Sequence, residues 1–215
     1  MCHFLLYVPR QQAGTVIRGL MTKQLPTVLA ITGASGAPYA VRLLEVLAQA
    51  RVPVWLIVSS HGMRLLQEEC GIGSLEALEG TVAVEGADVR IFTDSDRGAR
   101  PASGSQPTAG MVICPCSMGT LSAVAHGSSR SLIERAADVT LKEGRKLVLV
   151  PRETPLSLVH LRNMAACVEA GATVLPAAPG FYHRPTEVAE LVDFIVQRIV
   201  DQLGLGLDIT RRWQG

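Results

Sequence analysis

MVICPCSMGT, residues Met111–Thr120, runs four apolar or thiol residues into a Pro–Cys–Ser turn and then into small residues that open a helix. PASGS precedes it at Pro101–Ser105. A strand emptying into Ser117, Gly119 and Thr120 offers backbone N–H groups and hydroxyls at a helix N-terminus, where anionic or heteroatom-rich ligands are held. A second junction of the same kind, TVLAITGASGAPY, lies at Thr27–Tyr39. Two such junctions in one short chain point to a nucleotide-type cofactor rather than to a tight turn alone.

Outward from these junctions, apolar runs of strand length alternate with helical patterns. Strands are expected at Thr27–Thr32, Val52–Val58, Val89–Phe92, Met111–Cys114, Leu147–Val150 and Thr173–Leu175. Helices are expected at Ala37–Gln49, Ser60–Cys70, Thr120–Gly127, Leu132–Glu143, Leu156–Ala170 and Thr186–Leu203. In the first of these, Val41, Leu44, Leu47 and Ala48 share one face. Consecutive apolar strands without polar alternation require cover on both sheet faces. The expected fold is therefore α/β, a doubly wound parallel sheet of the Rossmann or flavodoxin kind in three αβα layers. Gly71–Gly86 reads as a variable insertion. LPAAPGFYHRP, Leu175–Pro185, is too proline-rich for a helix and falls at the carboxyl edge of the sheet, where ligands gather.

The 215 residues fit one domain, assigned to 25–215, with 1–24 set apart as an N-terminal extension, disordered or a mis-assigned start. Met21 begins MTKQLPTVLAITGASG, a natural start one strand ahead of the glycine-rich turn. With 48% hydrophobic and 18% charged residues, wholesale disorder is excluded. A formal charge of +1 gives no basic excess for nucleic acid, and the apolar patch near the N-terminus is too short to span a bilayer. The apolar content hints at oligomer interfaces. Cys114 and Cys116 are separated by one residue, which is not zinc spacing, so no metal is expected. Reduced thiols in the cytoplasm fit the five cysteines better.

GASG at Gly33–Gly36 lacks the full dinucleotide fingerprint, and the second strand ends in Val58, Ser59 and Ser60 with no carboxylate for a ribose diol. That argues against NAD and leaves room for a mononucleotide; a tight turn with a helix cap at Ser35 is the plainer reading. PRETP, Pro151–Pro155, sets Arg152 and Glu153 at the carboxyl edge, as phosphate ligands or as a surface ion pair. Arg145 and Lys146 read as solvated charges, Lys142 as either, Tyr182 and His183 as packing residues, and Arg198 as a surface residue of an amphipathic helix. His61, His126 and His160 have no acid partner at a fixed spacing and read as structural or surface residues. No Gly-x-Ser-x-Gly elbow and no P-loop occur.

TGASGAPYA, PASGS, ICPCSMGTLSAVAHG, LIERAADVTLKE, LVLVPRETPLS, HLRNM and LPAAPGFYHRP occur in that order between Thr27 and Trp213. Together they resemble the UbiX flavin prenyltransferase family. The resemblance implies an enzyme that joins a dimethylallyl unit from dimethylallyl monophosphate to N5 and C6 of reduced FMN, without metal. It also implies transfer of the prenylated FMN to a UbiD-type decarboxylase, as in ubiquinone biosynthesis, and a homododecamer built from trimers with sites shared between subunits. Carried onto this chain, Gly33, Ala34 and Ser35 meet the flavin, with Ser35 near N5; Ser59, Ser117, Met118, Gly119, Thr120 and Arg152 hold the rest of the cofactor. Tyr182, Arg198 and Lys142 match ligands of the dimethylallyl phosphate, and Ser103 and Trp213 line the site. Glu153 matches an acid beside that phosphate and Glu69 a carboxylate near the flavin; with Ser35 and Lys142 they form the implied catalytic set.

The physics agrees with these roles. Loss of phosphate from an allylic ester builds negative charge on the leaving group, which preorganised cations and a phenol stabilise. A glutamate at that phosphate can carry a proton. The chain departs from the family at Arg97, which aligns on PASGS with a common tryptophan whose π face steadies an allylic cation. The loop is therefore expected to handle the prenyl donor differently. Alternatives are an FMN-dependent cysteine-type decarboxylase, disfavoured because Phe92–Pro101 holds no histidine, and a non-catalytic flavin carrier.

Overall fold

The computed structural model describes residues 24–82 and 86–210. The expected extension at 1–24 lies almost wholly outside the described residues, as does Trp213. Six parallel strands form one sheet: β1 (Thr27–Ile31), β2 (Val54–Val58), β3 (Val89–Thr93), β4 (Gly110–Cys116), β5 (Leu147–Pro151) and β6 (Thr173–Val174). Their order is β3-β2-β1-β4-β5-β6, so the winding reverses between β1 and β4. In a doubly wound sheet that reversal opens a crevice at the carboxyl ends of the strands.

The helices are α1 (Ala37–Gln49), α2 (Ser60–Cys70), α3 (Leu75–Thr81), α4 (Met118–Ala125), α5 (Leu132–Lys142), α6 (Leu158–Glu169) and α7 (Val188–Leu203). Alternate residues of β1 serve opposite layers, as a pleated strand requires. Leu29 and Ile31 join the core beneath α1, α2 and α7, while Val28 and Ala30 join the core beneath α4, α5 and α6. All of β1, β4 and β5 is buried, which is why their sequences are apolar without alternation. The expected three-layer α/β fold is the one observed.

Several boundaries differ from the sequence reading. β4 continues through Pro115 to Cys116, because the register against β5 shifts between Ile113 and Cys116 and no ladder N–H is demanded of the proline. α4 consequently begins at Met118, with Ser117 as its N-cap, rather than at Thr120. β2 starts at Val54, not Val52. Gly71–Gly86 is not a bare insertion: Ser74 accepts the Ala77 N–H and starts α3, whose Leu78 is buried in the core.

Candidate functional site

The two junctions meet at the β1/β4 crevice through one buried side chain. Thr32 follows β1 and is 2% exposed. Its Oγ1 donates to the Pro115 carbonyl at 2.8 Å and accepts the Ser117 N–H at 2.8 Å, while its own N–H donates to Pro115 at 3.2 Å. The glycine-rich turn and the N-cap of α4 are thus locked to each other.

Four helix N-termini converge on this edge, and they differ in what fills them. At α1 the Glu69 carboxylate accepts the N–H groups of Gly36 and Ala37, each at 2.8 Å. At α5 the Asp94 carboxylate accepts the Ile133 N–H at 2.9 Å and the Asp94 carbonyl accepts that of Leu132 at 2.7 Å. Both helix dipoles are therefore matched by internal acids. At α2 the N-cap Ser59 takes only the Gly62 N–H, and at α4 Ser117 takes only that of Thr120. The N–H groups of Ser60, His61, Met118 and Gly119 have no acceptor among the described residues. A cavity of about 270 Å³ lies between these two open ends, bordered by Thr32, Gly33, Ser59, His61, Ser117 and Thr120. Open N–H groups and hydroxyls of this kind fit the phosphate and polyol of a mononucleotide.

Glycine is required where α2 closes on β1. A Cβ on Gly33 would collide with the His61 Cβ, and one on Gly62 would come within 2.5 Å of the Ile31 carbonyl oxygen. Beside this turn, Arg152 donates from Nε to the Ser35 carbonyl at 3.1 Å, so the strand ends of β1 and β5 are joined at the sheet edge. Glu153 is exposed and accepts the Thr154 N–H at 3.0 Å. Gly33, Ser59, Ser117 and Thr120 thus border one cavity, with Met118 and Gly119 in the first turn of α4, and with Ala34, Ser35 and Arg152 at the adjoining turn.

Other expected site residues stand elsewhere. α5 begins at the carboxyl edge, so its last residue, Lys142, lies about 16 Å away, toward the amino edge. There Lys142 pairs with Glu143 at 2.6 Å and holds that carboxyl below its usual range. Ser103 is at the same end, its hydroxyl 2.9 Å from that of Ser105. Tyr182 follows Gly180 in the proline-rich loop, with its ring 5.7 Å from Phe194 of α7 and 4.3 Å from His183. Arg198, further along α7, donates to Asp201 at 3.1 Å. No group of three or more His, Cys, Asp or Glu fit to hold a metal occurs among the described residues.

Two expectations are corrected. α1 has no side-chain cap at Ser35; its N-cap is Gly36, at φ 124°, and the capping charge is the remote Glu69. Arg145 is not a solvated charge, since it donates to the carbonyls of Gly104 and Gln106 at 2.6 and 3.0 Å. Lys146 is exposed, as a solvated charge would be, and its Nζ also donates to the Leu203 carbonyl at 3.2 Å. The sequence reading also missed Thr32 and Asp94, and it read His61 as a structural or surface residue; His61 is exposed and also borders the cavity. Asp94 had a signal available, an acid directly after a strand.

The Flavoprotein family model matches residues 17–200. The flavin prenyltransferase UbiX of Pseudomonas aeruginosa is 48% identical over 192 residues, 86% of this chain and 92% of that protein. That of Synechocystis is 44% identical, over 88% of this chain and 96% of its own. A crystal structure of AnUbiX (PadA1) in complex with FMN and dimethylallyl pyrophosphate superposes with a TM-score of 0.83 at 37% identity, covering 90% of this chain and 99% of that one. A dodecameric FMN-dependent UbiX-like decarboxylase from Escherichia coli O157:H7 gives 0.82 at 41%, covering 89% and 100%. The FMN-binding protein AtHal3, at 16% identity and a TM-score of 0.59, shares the fold alone. With the fold, the crevice and these likenesses in agreement, the chain belongs to the UbiX flavin prenyltransferase family.

Proposed function

We propose that this protein is a flavin prenyltransferase, joining the dimethylallyl unit of dimethylallyl monophosphate to N5 and C6 of reduced FMN. The observation that carries this reading is the crevice between the two open helix ends, beside the glycine-rich turn whose Ser35 carbonyl Arg152 holds. Reduced FMN supplies the nucleophile when bound. Ser59 and Ser117–Thr120 hold its polar end, Arg152 fixes the turn beside it, and Gly33, Ala34 and Ser35 face the flavin, with Ser35 at the reacting edge. Glu69 sets that turn by holding the N–H groups of Gly36 and Ala37.

Tyr182, Arg198 and Lys142 stabilise the departing phosphate, with Glu153 taking or giving its proton. Ser103 completes the wall, the expected Trp213 lying outside the described residues. Because Lys142 and Ser103 lie toward the amino edge, they serve the site of a neighbouring subunit in a homo-oligomer. The expected assembly is the dodecamer, and α6 supports it: Leu158, Val159, Leu161 and Val168 are all about half exposed or more in the protomer. Arg97 is exposed on the loop after β3 and gives that loop a different contact to the prenyl donor from the family's tryptophan. The product passes to a UbiD-type decarboxylase, with ubiquinone synthesis in the cytoplasm as the expected setting; no helix among the described residues is long and apolar enough to cross a membrane.

The test is anaerobic incubation with FMN, dithionite and dimethylallyl monophosphate, followed by mass spectrometry of the released flavin. A gain of one C5H8 unit is expected. Unmodified FMN, beside a working control enzyme, overturns the reading, and carbon dioxide release from a cysteine-like acid in its place establishes the decarboxylase.

A further inference from the structure

We propose that His61 is a cofactor-binding residue of this crevice, its imidazole donating a hydrogen bond to the phosphate of FMN; this rests on the flavin reading above. The cavity carries the argument. Its border is hydroxyl-rich and contains no Phe, Tyr or Trp, so it suits the polar end of the cofactor rather than the isoalloxazine ring. Two of its side chains are acids, and both are engaged. Asp94 accepts the Ile133 N–H at 2.9 Å, and Glu134 accepts the Arg130 backbone N–H at 2.7 Å and its Nη2 at 2.9 Å. Among the residues bordering the cavity, His61 is the one whose side chain can carry positive charge.

The residue is exposed, with its Cβ set against Gly33 in the turn after β1, where any larger residue would displace it, and with no polar contact on its ring among the described residues. A donor with no internal partner therefore stands at the mouth of a cavity whose other donors are the open ends of α2 and α4. A phosphate seated there receives backbone N–H groups from both helices and a charge-assisted bond from the imidazole.

The experiment titrates flavin-free protein with FMN and separately with riboflavin, following quenching of flavin fluorescence, for wild type and His61→Ala. The alanine variant should bind FMN about tenfold more weakly, the order expected for one charge-assisted hydrogen bond, while its riboflavin affinity and melting temperature stay at wild-type values. Equal weakening for both flavins, or no weakening for either, overturns the proposal. His61→Gln gives the same comparison should the alanine variant fold poorly. Wild-type protein that binds neither flavin would defeat the flavin reading itself, a separate result from failure of the His61 assignment.

Discussion

Thr32→Val removes one hydroxyl and keeps the side-chain volume. In its place the Ser117 N–H and one bond of the Pro115 carbonyl lose their partner inside a buried junction. An orphaned buried donor costs about 1–3 kcal/mol, so thermal unfolding should shift down by that amount. FMN affinity should fall with it, because the Ser117 N-cap is no longer pinned to the glycine-rich turn; Thr32→Ser should restore both. A valine variant with wild-type melting and FMN affinity would show that the lock is dispensable. Spacing alone could not announce this residue, since its partners lie 83 and 85 positions away. Arg152 is placed for the opposite reason: it directly follows an apolar strand, and in a doubly wound sheet the residues after the strands share one edge. His61 also follows a strand, and a histidine without a neighbouring acid reads as structural or surface; it is exposed, and its place against Gly33 belongs to the tertiary fold. Glu69 could be carried over by resemblance, yet its bond to the start of α1 belongs to the tertiary fold.

The helices and strands were readable wherever burial imposed a period, and misread where local chemistry ruled. α1 and α2 match their expected bounds because each has an apolar stripe and a clear stop. α3 escaped because it is 7 residues long and buries only Leu78, too little to show a period. β4 escaped in part because a proline normally ends a central strand. The same strand makes a chemical prediction. Cys114 and Cys116 of β4 are fully buried, and desolvation drives both thiols far above their ordinary range. Burial pushes Cys167 of α6 up to about 11. At pH 8, brief exposure to iodoacetamide should alkylate Cys70, which is half-buried, before these three. Unfolding in guanidinium should release all four; equal labelling of Cys114 in the folded protein would contradict the packing. The linkage has a definite sign. These folded thiols hold their protons more tightly than unfolded ones, so their stabilisation is complete below about pH 8.5. It falls as the pH rises above that value toward the folded ones, and denaturant midpoints should decline over that alkaline window.

At the scale of the whole molecule, the protomer separates what the proposed reaction needs. The crevice lies at the carboxyl edge of the sheet, while Lys142 ends α5 about 16 Å along the helix, paired with Glu143. No rotamer of a lysine spans that distance. On the proposed reading, a lysine that assists the leaving phosphate comes from another copy, and the exposed apolar side chains of α6 give copies a reason to associate. Burying one valine or leucine contributes about 1.5–3 kcal/mol, and α6 offers four such residues at 49–62% exposure. Ser35→Ala and Lys142→Ala, purified separately, should each transfer the prenyl unit slowly. Unfolded together and refolded as mixed oligomers, they should regain activity, because some sites then pair an intact Ser35 crevice with an intact Lys142 from its neighbour. Introducing Val159→Asp into both chains should lower the assembly mass in light scattering and abolish that recovery, while each protomer keeps its helical circular dichroism. Recovery that never appears in mixed oligomers of full mass would mean that Ser35 and Lys142 serve the same protomer's site and that the site is not shared in this way.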